Sequence, residues 1–217
     1  MRSVNHVLAA VTLLLATFAV AQQNTPPDIS TFHDNLPDKE YTAKVANTSY
    51  VAPNGERVLR HEIDVPAPVS DVWSAMTTSE GVRSFIAPVA LVELKSGGCY
   101  CTNYTPGTKI GDPGTISNRV LSYIPRQMLS AKINLVDIFP PQPRAENTLF
   151  LVMEFSERDA HTTHIKASLL GFGNGEQWDK VYKFFDTGNA YTFGQLYKRF
   201  VVGPKKWPEQ QSAQKGD

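Results

Sequence analysis

Cysteine is almost absent from this 217-residue chain. Its only two cysteines, Cys99 and Cys101, are separated by a single residue, so they cannot staple distant parts of a fold and a disulfide framework is excluded. On a strand the pair would share a face with Cα atoms roughly 6.5 Å apart. Three readings stay open: packed thiols, a local disulfide, or two ligands of a soft metal with no obvious further ligands. Charge of one sign is not in surplus either, since 21 Lys and Arg balance 21 Asp and Glu. A basic footprint is what neutralises phosphates, so nothing points to nucleic acid or an anionic membrane. Familiar catalytic strings are missing as well. No G-x-S-x-G elbow, G-x-x-x-x-G-K phosphate loop or H-E-x-x-H helix occurs, and neither a cofactor, a metal nor a committed catalytic residue is expected.

No apolar run reaches the roughly 20 residues of a spanning helix. The longest, Val7 to Val20, follows Arg2 and His6 and ends in Ala19-Val20-Ala21, the form of a secretory signal peptide cleaved after Ala21. A secreted or periplasmic protein without a stable membrane span is expected. The remainder is ample for one core. Residues 22–50 are rich in Pro, Asn, Asp and Thr without periodicity and read as a flexible linker, with one edge strand near Ser49. Residues 51–203 read as the folded domain and 204–217 as a loose tail.

Within the domain, Leu59, His61, Ile63 and Val65 alternate with Arg60, Glu62 and Asp64, the period of a half-buried strand. Pro68 is placed at the first position of a helix through Val72, Trp73 and Met76, and Thr77 with Glu80 forms a capping box for a second short helix through Phe85. Six strand patterns follow, at 89–94, 99–104, 115–124, 128–135, 148–155 and 161–170, joined by short turns that make the sheet antiparallel. The connection from Asp137 to Asn147 carries Pro140, Pro141 and Pro143 and reads as a mobile flap. The last element is a helix from Glu176 to Val202, with Asn174 as its cap and Gly203-Pro204 as its stop. Its inner face reads Trp178, Val181, Tyr182, Phe185, Asn189, Thr192, Phe193, Leu196 and Phe200.

The strings HEIDVPAPVSDVWSAMTTSEGVRSFIAP (His61 to Pro88), SGGCY (Ser96 to Tyr100), YIPRQML (Tyr123 to Leu129) and GFGNGEQWDKVYKFFDTGNAYTFGQL (Gly171 to Leu196) carry a family resemblance. The chain resembles the SRPBCC (START/Bet v 1-like) superfamily, in the branch named after the activator of Hsp90 ATPase. The resemblance implies an α+β helix-grip fold: a curved antiparallel sheet wrapped around a long C-terminal helix, with two short helices after the first strand. Phe85 stands where the family usually has Trp, and Cys99 where a polar or aromatic residue is usual, so ligand contacts do not carry over at those positions.

The resemblance also implies a cavity beneath the last helix. Asn189, mid-face and next to Gly188, is the main candidate to hold a ligand there, against the plainer reading of an amide satisfied by a strand carbonyl or water. Phe172, Trp178 and Tyr182 would wall the Gly-rich mouth, Tyr100 and Tyr104 would add hydroxyls, Phe85 would close the cavity and Asn118 would line it; each is equally readable as core. His161 and His164, three apart on a strand, face opposite ways. The leading expectation is an exported binding protein for a small apolar or amphipathic molecule. A cyclase or hydrolase using His61 or Tyr182 is the alternative. A co-chaperone is the third, and export argues against it.

Overall fold

A computed structural model describes residues 28–208 apart from residue 32. The segment expected to be a signal peptide, the expected cleavage site and the last tail residues lie outside the described residues. Strand β1 (Ala46–Asn47) and strand β2 (Tyr50–Val51) both pair with β3 (Arg57–Val65), which is followed by helices α2 (Val69–Thr77) and α3 (Ser79–Arg83). Helix α1 (Lys39–Thr42) precedes them. Then come β4 (Val89–Val92), β5 (Cys99–Asn103), β6 (Ile116–Ile124), β7 (Met128–Lys132), α4 (Pro141–Glu146), β8 (Phe150–Asp159), β9 (Thr162–Leu170) and α5 (Glu176–Val201).

All strand pairs are antiparallel, in the order β1-β3-β9-β8-β7-β6-β5-β4, and the sheet curves without closing. The alternation in β3 sets the inner face: Leu59, His61, Ile63 and Val65 are buried and lie opposite Leu169, Ala167, Ile165 and Thr163 of β9. Register shifts at Val120/Ser122 and Glu157/Asp159 mark bulges, which add local bend and twist. Cys99 and Cys101 are joined to each other with Cα atoms 5.4 Å apart, so the local disulfide is the reading realised.

Three caps differ from expectation. Pro68 is the N-cap of α2 rather than its first helical residue. Thr78, not Thr77, caps α3 by accepting from the Gly81 amide, while the Thr77 hydroxyl turns back to the Trp73 carbonyl. Gly175, at φ 96°, stands at the start of α5, and no side chain caps it, so Asn174 does not play that role. Glu176 and Asp179 in the first turn still favour the positive end of the helix. At the far end Gly203, at φ 122°, returns its amide to the Arg199 carbonyl, as the Gly-Pro stop predicts.

The larger correction concerns residues 28–50, which form a strap across α5 rather than a linker. A 3-10 turn (Ile29–Thr31), α1, β1 and β2 lie in it, and Ile29 is buried among Leu59, Leu135, Phe139, Trp178 and Val181. Small residues of α5 admit the strap: a Cβ on Gly194 would stand 2.9 Å from the Thr42 amide nitrogen, and one on Gly188 2.9 Å from His33 Nε2. Asp38, in the left-handed region at φ 64°, directs its carboxylate to Lys198 (2.7 Å) and Gln195 (2.9 Å). Thr48 donates to Glu62 at 2.7 Å.

The tail is not loose where it is described. The Lys205 amide bonds the Ser84 carbonyl at 2.7 Å and Trp207 Nε1 donates to the Arg83 carbonyl at 2.6 Å, turning the chain back over α3. The Pro-rich flap likewise contains a helix, α4, with Pro141 at a position where its missing amide costs nothing.

Two outcomes follow. Gly194→Ala should destabilise by about 1–3 kcal/mol in chemical denaturation, although Ala is the better helix former, because the added Cβ meets strap backbone. The Asp38 carboxyl is held below its ordinary range chiefly by its bond to Lys198, and Glu62 chiefly by Thr48. A depressed carboxylate stabilises above its unfolded pKa and loses that contribution as pH falls through the folded value. Between pH 6 and pH 3 the wild type should therefore lose more stability than Asp38→Asn.

Candidate functional site

Two apolar clusters fill the two ends of the interface between α5 and the sheet. Trp178 and Val181 meet Leu59, Leu149, Leu169 and Phe172 at one end. Phe193 and Leu196 meet Val120, Leu129, Phe155 and Ile165 at the other. Between them, from Tyr182 to Thr192, no residue of α5 is buried, although the helix has sheet on one side and strap on the other. The loosest packing therefore falls on about three turns at the middle of the helix.

The polar groups of the interface sit on those turns. The Asn189 amide, half-buried, has no hydrogen-bond partner among the described residues, so the bond to a strand carbonyl that would make it structural is not made. The Thr192 hydroxyl is turned back to the Gly188 carbonyl at 2.9 Å. Asp186 accepts from Asn47 Nδ2 at 2.8 Å and faces His61 Nε2 at 3.0 Å through the same oxygen. His61 is 2 % exposed, and its Nδ1 is enclosed without a partner. A carboxylate only accepts, so in the neutral ring Nε2 carries the proton and Nδ1 presents an unshared lone pair. Asp186 is the one functional candidate that sequence reading passed over. Its only signal was a position three residues before Asn189, on the edge of the apolar face.

The remaining candidates fall in separate places. Trp178 is fully buried and donates Nε1 to Glu146 of α4 at 2.7 Å, so it latches the former flap onto the core. Phe172 and Tyr182 meet at 4.9 Å between ring centroids with their planes tilted by 55°, and the Arg57 guanidinium lies over both and is tied to Asp179. Phe85 is 2 % exposed and belongs to the other cluster. Tyr100 lies opposite Asn118 in the β5–β6 register. The Tyr100 hydroxyl donates to the Met76 carbonyl, and burial pushes its phenol well up; Asn118 accepts from the Asn134 amide. Tyr104, next but one along the same face from Thr102, keeps 53 % of its surface accessible. Burial nonetheless raises its phenol pKa, against a bond from Thr102 that lowers it.

Two open clefts among the described residues lie away from Asn189. One of about 230 Å³ adjoins the C-terminal end of α5, and one of about 380 Å³ is bounded by Val69, Pro125–Gln127 and Phe155–Glu157. On the outer face His164 stands between Asp64 (2.7 Å) and Glu62 (3.2 Å), while His161 lies in the preceding turn with its amide on Asp159, so the two histidines do not meet.

A curved open sheet gripping one long C-terminal helix, with a polar break midway along the contact, defines a helix-grip protein of the SRPBCC kind. More narrowly, residues 66–200 match the family described as Activator of Hsp90 ATPase homolog 1-like protein, and the chain belongs to it. No curated protein matches the sequence. Among solved structures, protein MLL2253 of Mesorhizobium loti is similar at 16 % identity and TM-score 0.51, over 65 % of this chain and 95 % of that one. The Aha1 dimer of Colwellia psychrerythraea is similar at 12 % and 0.50, over 67 % and 97 %. DynU16, a putative protein in the dynemicin biosynthetic locus, is similar at 18 % and 0.51, over 68 % of this chain and 48 % of its own. At these identities the likeness is one of fold.

The Trp178–Glu146 bond can be measured. Glu146→Ala leaves the indole N–H without its acceptor and should cost about 1–3 kcal/mol in urea unfolding, whereas Glu146→Gln, which keeps an acceptor oxygen, should cost less.

Proposed function

We propose that this protein binds a small amphipathic molecule between the middle of α5 and the inner face of the sheet. The apolar body would spread between the two clusters and a polar group would meet Asn189. The carrying observation is the Asn189 amide, unpartnered on the helix face turned to the sheet. Its nitrogen and oxygen are not enclosed, so both remain open to a bound molecule. The stretch from Tyr182 to Thr192, in which no residue is fully buried, supports the same reading. A signal peptide over Val7 to Ala21, as the sequence reads, would carry this activity outside the cytoplasm, away from the ATPase that the family name mentions.

A second reading has its own observation in the His61–Asp186 pair. A carboxylate holds one ring nitrogen and leaves the other as a lone pair, the arrangement of a general base. On that reading the bound molecule is turned over as well as held.

Native mass spectrometry of the protein purified from its own host should show a retained small molecule. Asn189→Leu should lose it with the thermal midpoint unchanged or raised, since Asn189 bonds no protein group. An empty wild type, or full retention by the variant, would remove the binding reading. If the pair is catalytic, His61→Gln should abolish turnover of the retained molecule while leaving it bound.

A further inference from the structure

The 230 Å³ cleft at the end of α5 is lined by Lys198, Arg199, Lys205 and Lys206, with Asp38 as its only carboxylate. That carboxylate is already taken, by Lys198 at 2.7 Å. Arg199 gives Nε to the Ser84 hydroxyl at 2.6 Å, and its guanidinium rests over Phe200 at 4.5 Å. Lys205 holds its ammonium 4.4 Å above the Trp207 ring. Among the described residues no carboxylate pairs with Arg199, Lys205 or Lys206. Four cations thus line one concavity against a single carboxylate, Asp38, whose bond is made to Lys198.

Cations near a helix C-terminus are also favoured by the helix dipole. Here that demand is small, because the Val202 and Gly203 amides already satisfy the Lys198 and Arg199 carbonyls. The tail adds two of the cations beyond the helix and is fastened there by the Lys205 amide and the Trp207 indole, which fixes the third wall of the cleft. Burial and the neighbouring Lys198 lower the Lys205 pKa, with Asp38 opposing, as expected of an ammonium short of negative charge.

We propose that this cleft is a binding site for a phosphate group, as free phosphate or the head of a small phosphate monoester. Three cations suit a dianion with three acceptor oxygens better than a single carboxylate, and Arg199 can offer its two terminal nitrogens in parallel. The volume decides the size of the guest. Drug-sized ligands occupy roughly 300–1,000 Å³, so this site takes the charged group and a short stem, not a nucleotide. It stands apart from the helix–sheet reading, and neither depends on the other.

The full-length protein is titrated with sodium phosphate, with glycerol phosphate, and with sodium chloride at matched ionic strength, and thermal midpoints are read. At 10 mM, either phosphate species should raise the midpoint by about 3–5 °C if its dissociation constant is near 1 mM, and chloride should not. Lys205→Gln should weaken phosphate binding at least tenfold by isothermal titration while leaving the phosphate-free midpoint near wild type. Arg199→Gln should weaken binding as well, with some loss of midpoint because it also holds Ser84. Flotation with phosphatidic acid vesicles against phosphatidylcholine vesicles distinguishes the source: flotation lost in Lys205→Gln assigns the phosphate to a lipid head, and its absence assigns it to a soluble ester. An equal shift from chloride, or a phosphate shift untouched by both substitutions, overturns the site.

Discussion

The two-sided grip on α5 is the constraint on which the rest of the structure depends. A single apolar stripe would explain a helix lying on a sheet. This helix carries a second contact on its other side, made by a strap whose backbone comes close enough that Gly194 and Gly188 cannot be larger. The strap contributes apolar contacts through Ile29 and Val45, and polar ties from Asp38 to Lys198 and Gln195, from Asn47 to Asp186 and from Thr48 to Glu62. Remove that cover and Gly194 and Gln195, buried on the outer side, would face water.

The grip is tightest at the two ends of the helix and slackest at its middle, where the chemistry collects. Apolar clusters close around Trp178 and around Phe193 and Leu196, while Asp186, Gly188, Asn189 and Thr192 occupy the interval. Polar groups at a well-packed contact would have to satisfy each other at once. Here Asp186 is met by His61 and Asn47 and Thr192 turns back to Gly188, while His61 Nδ1 and the Asn189 amide are left open. The same helix end that is fastened most firmly, through Asp38 and the returning tail, also gathers more positive charge than the described carboxylates neutralise.

The strands were legible because period-2 alternation is a local property, and β3 through β9 begin and end within a few residues of where the pattern places them. Cap positions were less legible. Thr77 and Thr78 are both hydroxyl residues in a row, and which one caps depends on the backbone angle reached after α2 has packed. The strap was not legible at all. It has no repeating pattern, and Ile29 and Asp38 are isolated residues most of whose partners lie more than a hundred positions away. For the site, Asn189 stood out as a polar residue on an apolar face. Trp178 and Phe85 did not differ from core in any local way, and core is where they lie.

By itself the amino-acid sequence determined the element order, the inner face of each strand, the long terminal helix with its glycine stop, and so the family. Each of these rests on spacing along the chain, which side-chain periodicity converts directly into a buried face. Tertiary structure alone decided that residues 28–50 cover the helix, that Cys99 and Cys101 are joined, that Asp186 meets His61, and that four cations share one cleft. The strap over the helix and the Asp186–His61 contact are encounters between segments remote in sequence, which only the closed fold brings within bonding distance, while the disulfide and the cation cleft depend on how a short stretch of backbone is held.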